Sequence, residues 1–155
     1  MTEVRLVPVP PALASAVVHG GDLDAALQPM TRPRDWPHDD SADALRPIAA
    51  DPAAAHGTFL VVAGDQVIGE CGWIGGPDAD GTVEIGYGLA SSARGQGRGR
   101  AAVRLLCAWI ADQPGVRRIT AQALVGNEPS RRLLLDLGFA EEPGVPPYLR
   151  YGRDL

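Results

Sequence analysis

Arginines and glycines alternate through Ala93-Arg94-Gly95-Gln96-Gly97-Arg98-Gly99-Arg100-Ala101, and it is here that the sequence first points to chemistry. Glycine permits the positive φ of a tight turn and lets the backbone approach a bound group closely. A strand-like apolar run, Val83 to Leu89, precedes the loop, and a helical run, Arg100 to Ala111, follows it. In that order several backbone N–H groups and the positive end of a helix dipole, roughly half a unit charge, converge on one point. Arg94, Arg98 and Arg100 add full charges whose planar forks suit phosphate oxygens. The expected ligand carries phosphate.

Other chemistries fit less well. Gly97-x-Gly99-x-x-Ala102 has the form of a dinucleotide-binding turn, but Arg117 and Arg118 stand about twenty positions on, where that fold needs an acid for the ribose. A net charge of −5 and the lack of aromatics among the arginines exclude a nucleic-acid track. His19, His38 and His56 form no cluster with the two cysteines, so no metal site is expected. His38, beside Asp39 and Asp40, reads as a solvated loop histidine, and Cys71 and Cys107 as reduced, buried, small hydrophobes. No Ser/His/Asp or Cys/His set predicts a covalent intermediate.

Three segments carry a resemblance to one family. Arg94-x-x-Gly97-x-Gly99 resembles the [RQ]xxGx[GA] acetyl-CoA pyrophosphate loop of the GNAT N-acetyltransferases. The run from Asn127 through Ser130 and Leu133 to Leu137-Gly138-Phe139 is similar to that superfamily's NxxSxxLxxxLGF helix, and Glu84-Ile85-Gly86-Tyr87 to its fourth strand. Within the superfamily the match is to the branch holding the ribosomal-protein N-terminal acetyltransferases, and it runs from about Phe59 to Phe139.

That resemblance implies acetyl-CoA as co-substrate and direct transfer of its acetyl group to a primary amine, either a small molecule or a protein N-terminus, in a ternary complex. It places Arg94, Gly95, Gln96, Gly97, Arg98, Gly99 and Arg100 on the cofactor, with Asn127 and Ser130, and gives the pantetheine arm and thioester carbonyl the backbone around Leu89. A protonated amine needs a base before it can attack; Glu84 holds the position implied for that base, and Glu70 is the second candidate. Leu134 stands where many members place a tyrosine general acid, leaving Ser130, a water, Tyr148 or Tyr151 as replacements. Trp36, Tyr87 and Tyr148 are the expected acceptor contacts, although an aromatic such as Trp36 more often fills space as a packing anchor. A catalytically inactive acyl-CoA sensor of the same fold is the alternative function, and a homodimer through exposed sheet edges fits the fold.

The elements that must position these residues follow from periodicity. Arg5–Val9 reads as an edge strand, Ala12–Val18 as a helix closed by Gly20-Gly21, and Asp22–Gln28 as a further turn or two. Ser41 is placed to cap a helix over Ala42–Ala49. Thr58–Ala63 and Gln66–Trp73 form a hairpin, and Thr82–Leu89 returns as a third strand with Glu84, Gly86 and Gly88 on one side. Helix Arg100–Ala111 leads to strand Arg118–Val125, a crossover compatible with parallel pairing, then helix Asn127–Leu137 and strands Phe139–Glu141 and Tyr148–Arg153. The fold class is α+β: one central, mostly antiparallel sheet of six to seven strands with helices on both faces, and, by the resemblance, a splayed V between the fourth and fifth strands.

At 155 residues, 45% hydrophobic and 21% charged, the chain suits a single domain over 1–155. Charge is uneven: residues 1–57 carry eight acids against four arginines, residues 92–132 eight arginines against two acids. A local anionic ligand explains this better than a broad partner surface. Pro8, Pro10 and Pro11 break the apolar start that would otherwise read as a signal peptide, and no run is long enough for a membrane span, so a cytoplasmic location is expected.

Overall fold

The computed structural model describes residues 3–155. In chain order the elements are β1 Val4–Pro8, α1 Pro11–His19, α2 Leu23–Leu27, α3 Ser41–Ala50, β2 Thr58–Ala63, β3 Gln66–Ile74, β4 Thr82–Leu89, α4 Arg98–Ala111, β5 Arg118–Leu124, α5 Glu128–Asp136, β6 Ala140–Glu142 and β7 Tyr148–Asp154. The strands form a seven-stranded sheet in the order β1-β2-β3-β4-β5-β7-β6. β4 and β5 pair in parallel, whereas β1 with β2, β2 with β3, β5 with β7 and β6 with β7 are antiparallel. The mixed α+β class, the seven strands and the parallel crossover through α4 are as expected from the sequence.

By packing, the chain divides into two compact units: residues 1–72 with 87–105, and residues 73–86 with 106–155. The first unit has an apolar centre of Val9, Leu13, Leu27, Trp36, Leu45, Ile48, Leu60, Val62, Val67 and Ala90. Gly20, with φ 86, closes α1 as its pattern predicts. Asp22 caps α2, its side chain accepting from Ala25 N–H at 3.0 Å. Ser41 does not cap α3 as expected. The helix begins at Ser41 itself, and Oγ of this buried serine accepts from His38 N–H at 3.0 Å, which fixes the preceding loop. Gly69 is required by crowding: a Cβ there would collide with the Gly88 carbonyl and lie 2.6 Å from Leu89 Cδ2.

In the second unit alternation sorts the sheet into two faces. Val83 and Ile85 of β4, Ile119, Ala121 and Ala123 of β5, and Tyr151 of β7 are buried, as are Leu106, Cys107 and Ile110 of α4 and Leu134 of α5. Register puts Glu84, Gln122, Leu124, Tyr148, Arg150 and Glu142 on the opposite face. Arg118 bridges Glu142 and Asp154 along its edge. Cys71 and Cys107 are buried and form no disulfide, and burial raises the Cys107 thiol pKa, keeping it protonated.

Candidate active site

The loop after β4 is built as its composition demands. Ala90 N–H donates to the Ile68 carbonyl at 2.8 Å, a short 3-10 turn spans Ser91–Ala93, and Gly95 and Gly97 take φ of 78 and 77. A Cβ at either glycine would meet nothing within 4 Å, so backbone conformation rather than crowding selects glycine. Gly99 serves differently from expectation: α4 starts at Arg98, not Arg100, and Gly99 lies in its first turn. The leading N–H groups of a helix have no partner within it. Arg94, Gly95, Gln96 and Gly97 of the loop and Arg100 of that first turn are exposed. Arg94 is turned back onto the strand end, its Nε donating to the Leu89 carbonyl at 3.1 Å, and Arg98 is half-buried.

A second anchor reaches the loop from the segment before α3. Asp35 accepts from Ser92 N–H at 2.8 Å and from Ser92 Oγ–H at 2.7 Å. Those two bonds hold the Asp35 pKa below the ordinary carboxylate value, with Arg94 contributing in the same direction.

The same segment supplies a cluster that the sequence reading missed. Glu70 is buried on β3. Its Oε2 accepts from Trp36 Nε1–H at 2.8 Å, and its Oε1 lies 2.6 Å from His38 Nε2. That separation makes an ion pair when the ring is protonated. His38 Nδ1 accepts from Asp40 N–H at 3.3 Å. The Glu70 carboxylate accepting from the ring raises the His38 pKa; burial opposes it, and the charges of Glu70 and Asp40 add to it. His38 is therefore no solvated loop histidine: its side chain is 12% exposed and its ring lies against Gly88, where a Cβ would sit 2.7 Å from Cε1. The available signal was Glu70 itself, a carboxylate within the apolar run of β3, since a buried charge demands a partner. Trp36 is fully buried in the apolar centre of the first unit.

In the second unit Glu84 is half-buried on β4, and Gln122 Nε2–H donates to its Oε2 at 3.2 Å. The β4–β5 ladder runs from Thr82↔Arg118 to Ile85↔Ala121 and stops there, although β4 continues to Leu89 and β5 to Leu124. Asn127 caps α5, its Oδ1 accepting from Ser130 N–H at 3.3 Å, so the cap reading of Asn127 holds. Leu134 is fully buried. Tyr151 belongs to the buried face, and its hydroxyl accepts from Arg131 Nε–H at 3.2 Å and donates to Glu141 at 3.3 Å. Tyr148 is exposed on the face that carries Glu84, and Tyr87 is half-buried on β4. Among the described residues no His/Cys/Asp/Glu group could hold a metal ion, and no helix is long and apolar enough to cross a membrane.

Set against known proteins, the arrangement falls into one class. Residues 4–140 match the model of the acetyltransferase (GNAT) domain. YjdG, an uncharacterized N-acetyltransferase of Bacillus subtilis, is 31% identical over 112 residues, covering 68% of this chain and 67% of that protein. The uncharacterized N-acetyltransferase p20 of Bacillus licheniformis is 34% identical over 85 residues, 55% of this chain and 48% of its own length. RimL, a ribosomal L7/L12 α-N-protein acetyltransferase solved with coenzyme A, shares the fold with a TM-score of 0.70 at 17% identity, over 100% of this chain and 96% of that one. The chain belongs to the GNAT acetyltransferase family. Its activity is acetyl transfer from acetyl-CoA.

Proposed function

We propose that this protein moves the acetyl group of acetyl-CoA to a primary amine by direct attack in a ternary complex, with Glu84 as the base that unmasks the amine. The observation that carries the reading is the loop: positive φ at Gly95 and Gly97, arginines on either side, and the first turn of α4 behind them. Such a cradle suits a pyrophosphate.

Between the two carboxylates, their surroundings favour Glu84. Both oxygens of Glu70 are engaged, one by Trp36 and one by His38, and the residue is buried. Glu84 is half-buried and accepts a hydrogen bond on Oε2 from the neutral amide of Gln122. An acceptor reaches such a group more readily than one that is buried with both oxygens engaged. Glu70 then serves as the fixed counter-charge of His38. For protonation of the departing thiolate, Tyr148 and Ser130 remain, Tyr151 being committed to Arg131 and Glu141.

The test is CoA release from acetyl-CoA, followed by thiol detection across a panel of small amines and N-terminal peptides, with Glu84→Gln beside wild type. Turnover in the wild type, lost at least a hundredfold in a variant that still binds acetyl-CoA, supports the assignment. Binding without turnover across the panel defeats it in favour of a sensor of acyl-CoA.

A further inference from the structure

Glu84 does not stand alone on its face of the sheet. Register puts four polar residues on that face: Glu84 on β4, Gln122 on β5 two residues beyond Thr120, the direct partner of Glu84, Arg150 directly opposite Gln122 on β7, and Glu142 opposite Arg150 on β6. Gln122 and Arg150 are exposed, so neither is present to fill a core. At the far end Arg150 Nε lies 3.6 Å from Glu142 Oε2, while Gln122 Nε2–H donates to Glu84 Oε2 at 3.2 Å.

We propose that Gln122 is a positioning residue for this reaction, holding the Glu84 carboxylate in one rotamer so that Oε1 faces the incoming amine; this rests on the reading of Glu84 as base. The amide can present only its NH2 to a carboxylate, because an ionised carboxylate accepts and does not donate. The bond therefore has one polarity, and it fixes which oxygen is occupied. Glutamine is also the side chain that does this at least cost in basicity. An arginine at 122 would orient Glu84 equally well but favour its ionised form and weaken it as a base, whereas a second carboxylate would make one of the two acids hold its proton. Side-chain freedom is what the bond removes: a glutamate that is only half-buried can sample several rotamers, and a base must lie within hydrogen-bond reach of its proton to act.

Three variants separate the hydrogen bond from charge and from packing. Gln122→Met keeps length and removes the donor; kcat should fall about tenfold with the acetyl-CoA KM unchanged, the loss expected of one bond to a charged group. Gln122→Glu should move the acid limb of the kcat/KM profile to higher pH, and Gln122→Arg should move it to lower pH. Glu84→Gln is run in parallel. If Gln122→Met retains wild-type kcat, or if neither charged variant moves the acid limb, while Glu84→Gln is inactive, Gln122 has no positioning role and the base assignment stands. If Glu84→Gln is fully active, the base assignment falls and the role of Gln122 falls with it.

Discussion

A single imidazole carries the most informative local chemistry in the molecule. The pKa of His38 is raised from an ordinary value of 6.5, mainly because Glu70 accepts from the ring. A group whose folded pKa is raised stabilises the fold fully below its unfolded value, and that stabilisation is lost as pH rises through the folded value. Thermal melts of the wild type should therefore fall from about pH 6.5 upward. In His38→Gln the same series should be flatter, and an equal slope in both would remove His38 from the account. At the loop, Gly97→Ala forces a residue with Cβ into φ 77. The strain is about 1 kcal/mol or more, so calorimetry should show acetyl-CoA bound at least about fivefold more weakly while the fold persists. His38 also shows where a local reading stops: its acidic sequence neighbours are in view, but Glu70 is thirty-two positions away and becomes its partner only after β3 and the segment before α3 have packed.

At the scale of elements, the segment before α3 is tied down twice, by Asp35 to the turn after β4 and by Trp36 and His38 to β3. The depressed pKa of Asp35 means that its clamp is intact at neutral pH and opens only as pH falls through that lowered value. Asp35→Asn should raise the acetyl-CoA KM severalfold at pH 7, with amide exchange increased in residues 91–94; unchanged exchange there would show that the clamp does not order the loop. Helix α5 offers the converse case. Leu134 stands where the resemblance implies a tyrosine in many members, and it is fully buried. Leu134→Tyr should therefore overpack the interior and lower stability by about 1–3 kcal/mol without raising turnover, as a melt beside an assay will report. Strands and helices were legible to within a residue or two because their periodicity and their Gly and Pro boundaries are local. The α3 cap was not, since Ser41 has the right chemistry for a cap and its hydroxyl is claimed by the loop instead.

Over the whole molecule the charge distribution stands out. Of fourteen basic residues, eight lie between 92 and 132 in a chain of net charge −5, and Arg94 and Arg100 are exposed. Exposed charges are screened over about 10 Å at 0.1 M salt. Raising ionic strength from about 0.05 to 0.5 M should then weaken acetyl-CoA binding several-fold and leave the melting temperature nearly constant; a salt-independent Kd would mean that the arginines do not meet the phosphates. The Gly-rich turn and the helix behind it were readable in advance because one continuous run of sequence carries them. The grouping of Trp36, His38 and Glu70 was not, because it joins a strand to an early loop and no spacing in the chain records that association.

The contact between His38 and Gly88 also has a use in design. The imidazole occupies the volume that a side chain at 88 would need, so the two positions behave as a bump and a hole. Gly88→Ala alone collides with a ring that Glu70 holds in place, and its cost should shrink in a His38→Ala background, a coupling of about 1 kcal/mol or more in a double-mutant cycle. Enlarging one residue and trimming the other would recontour the end of β4 beside the Gly-rich loop while every other position stays as it is, giving a two-residue handle on the shape of that surface.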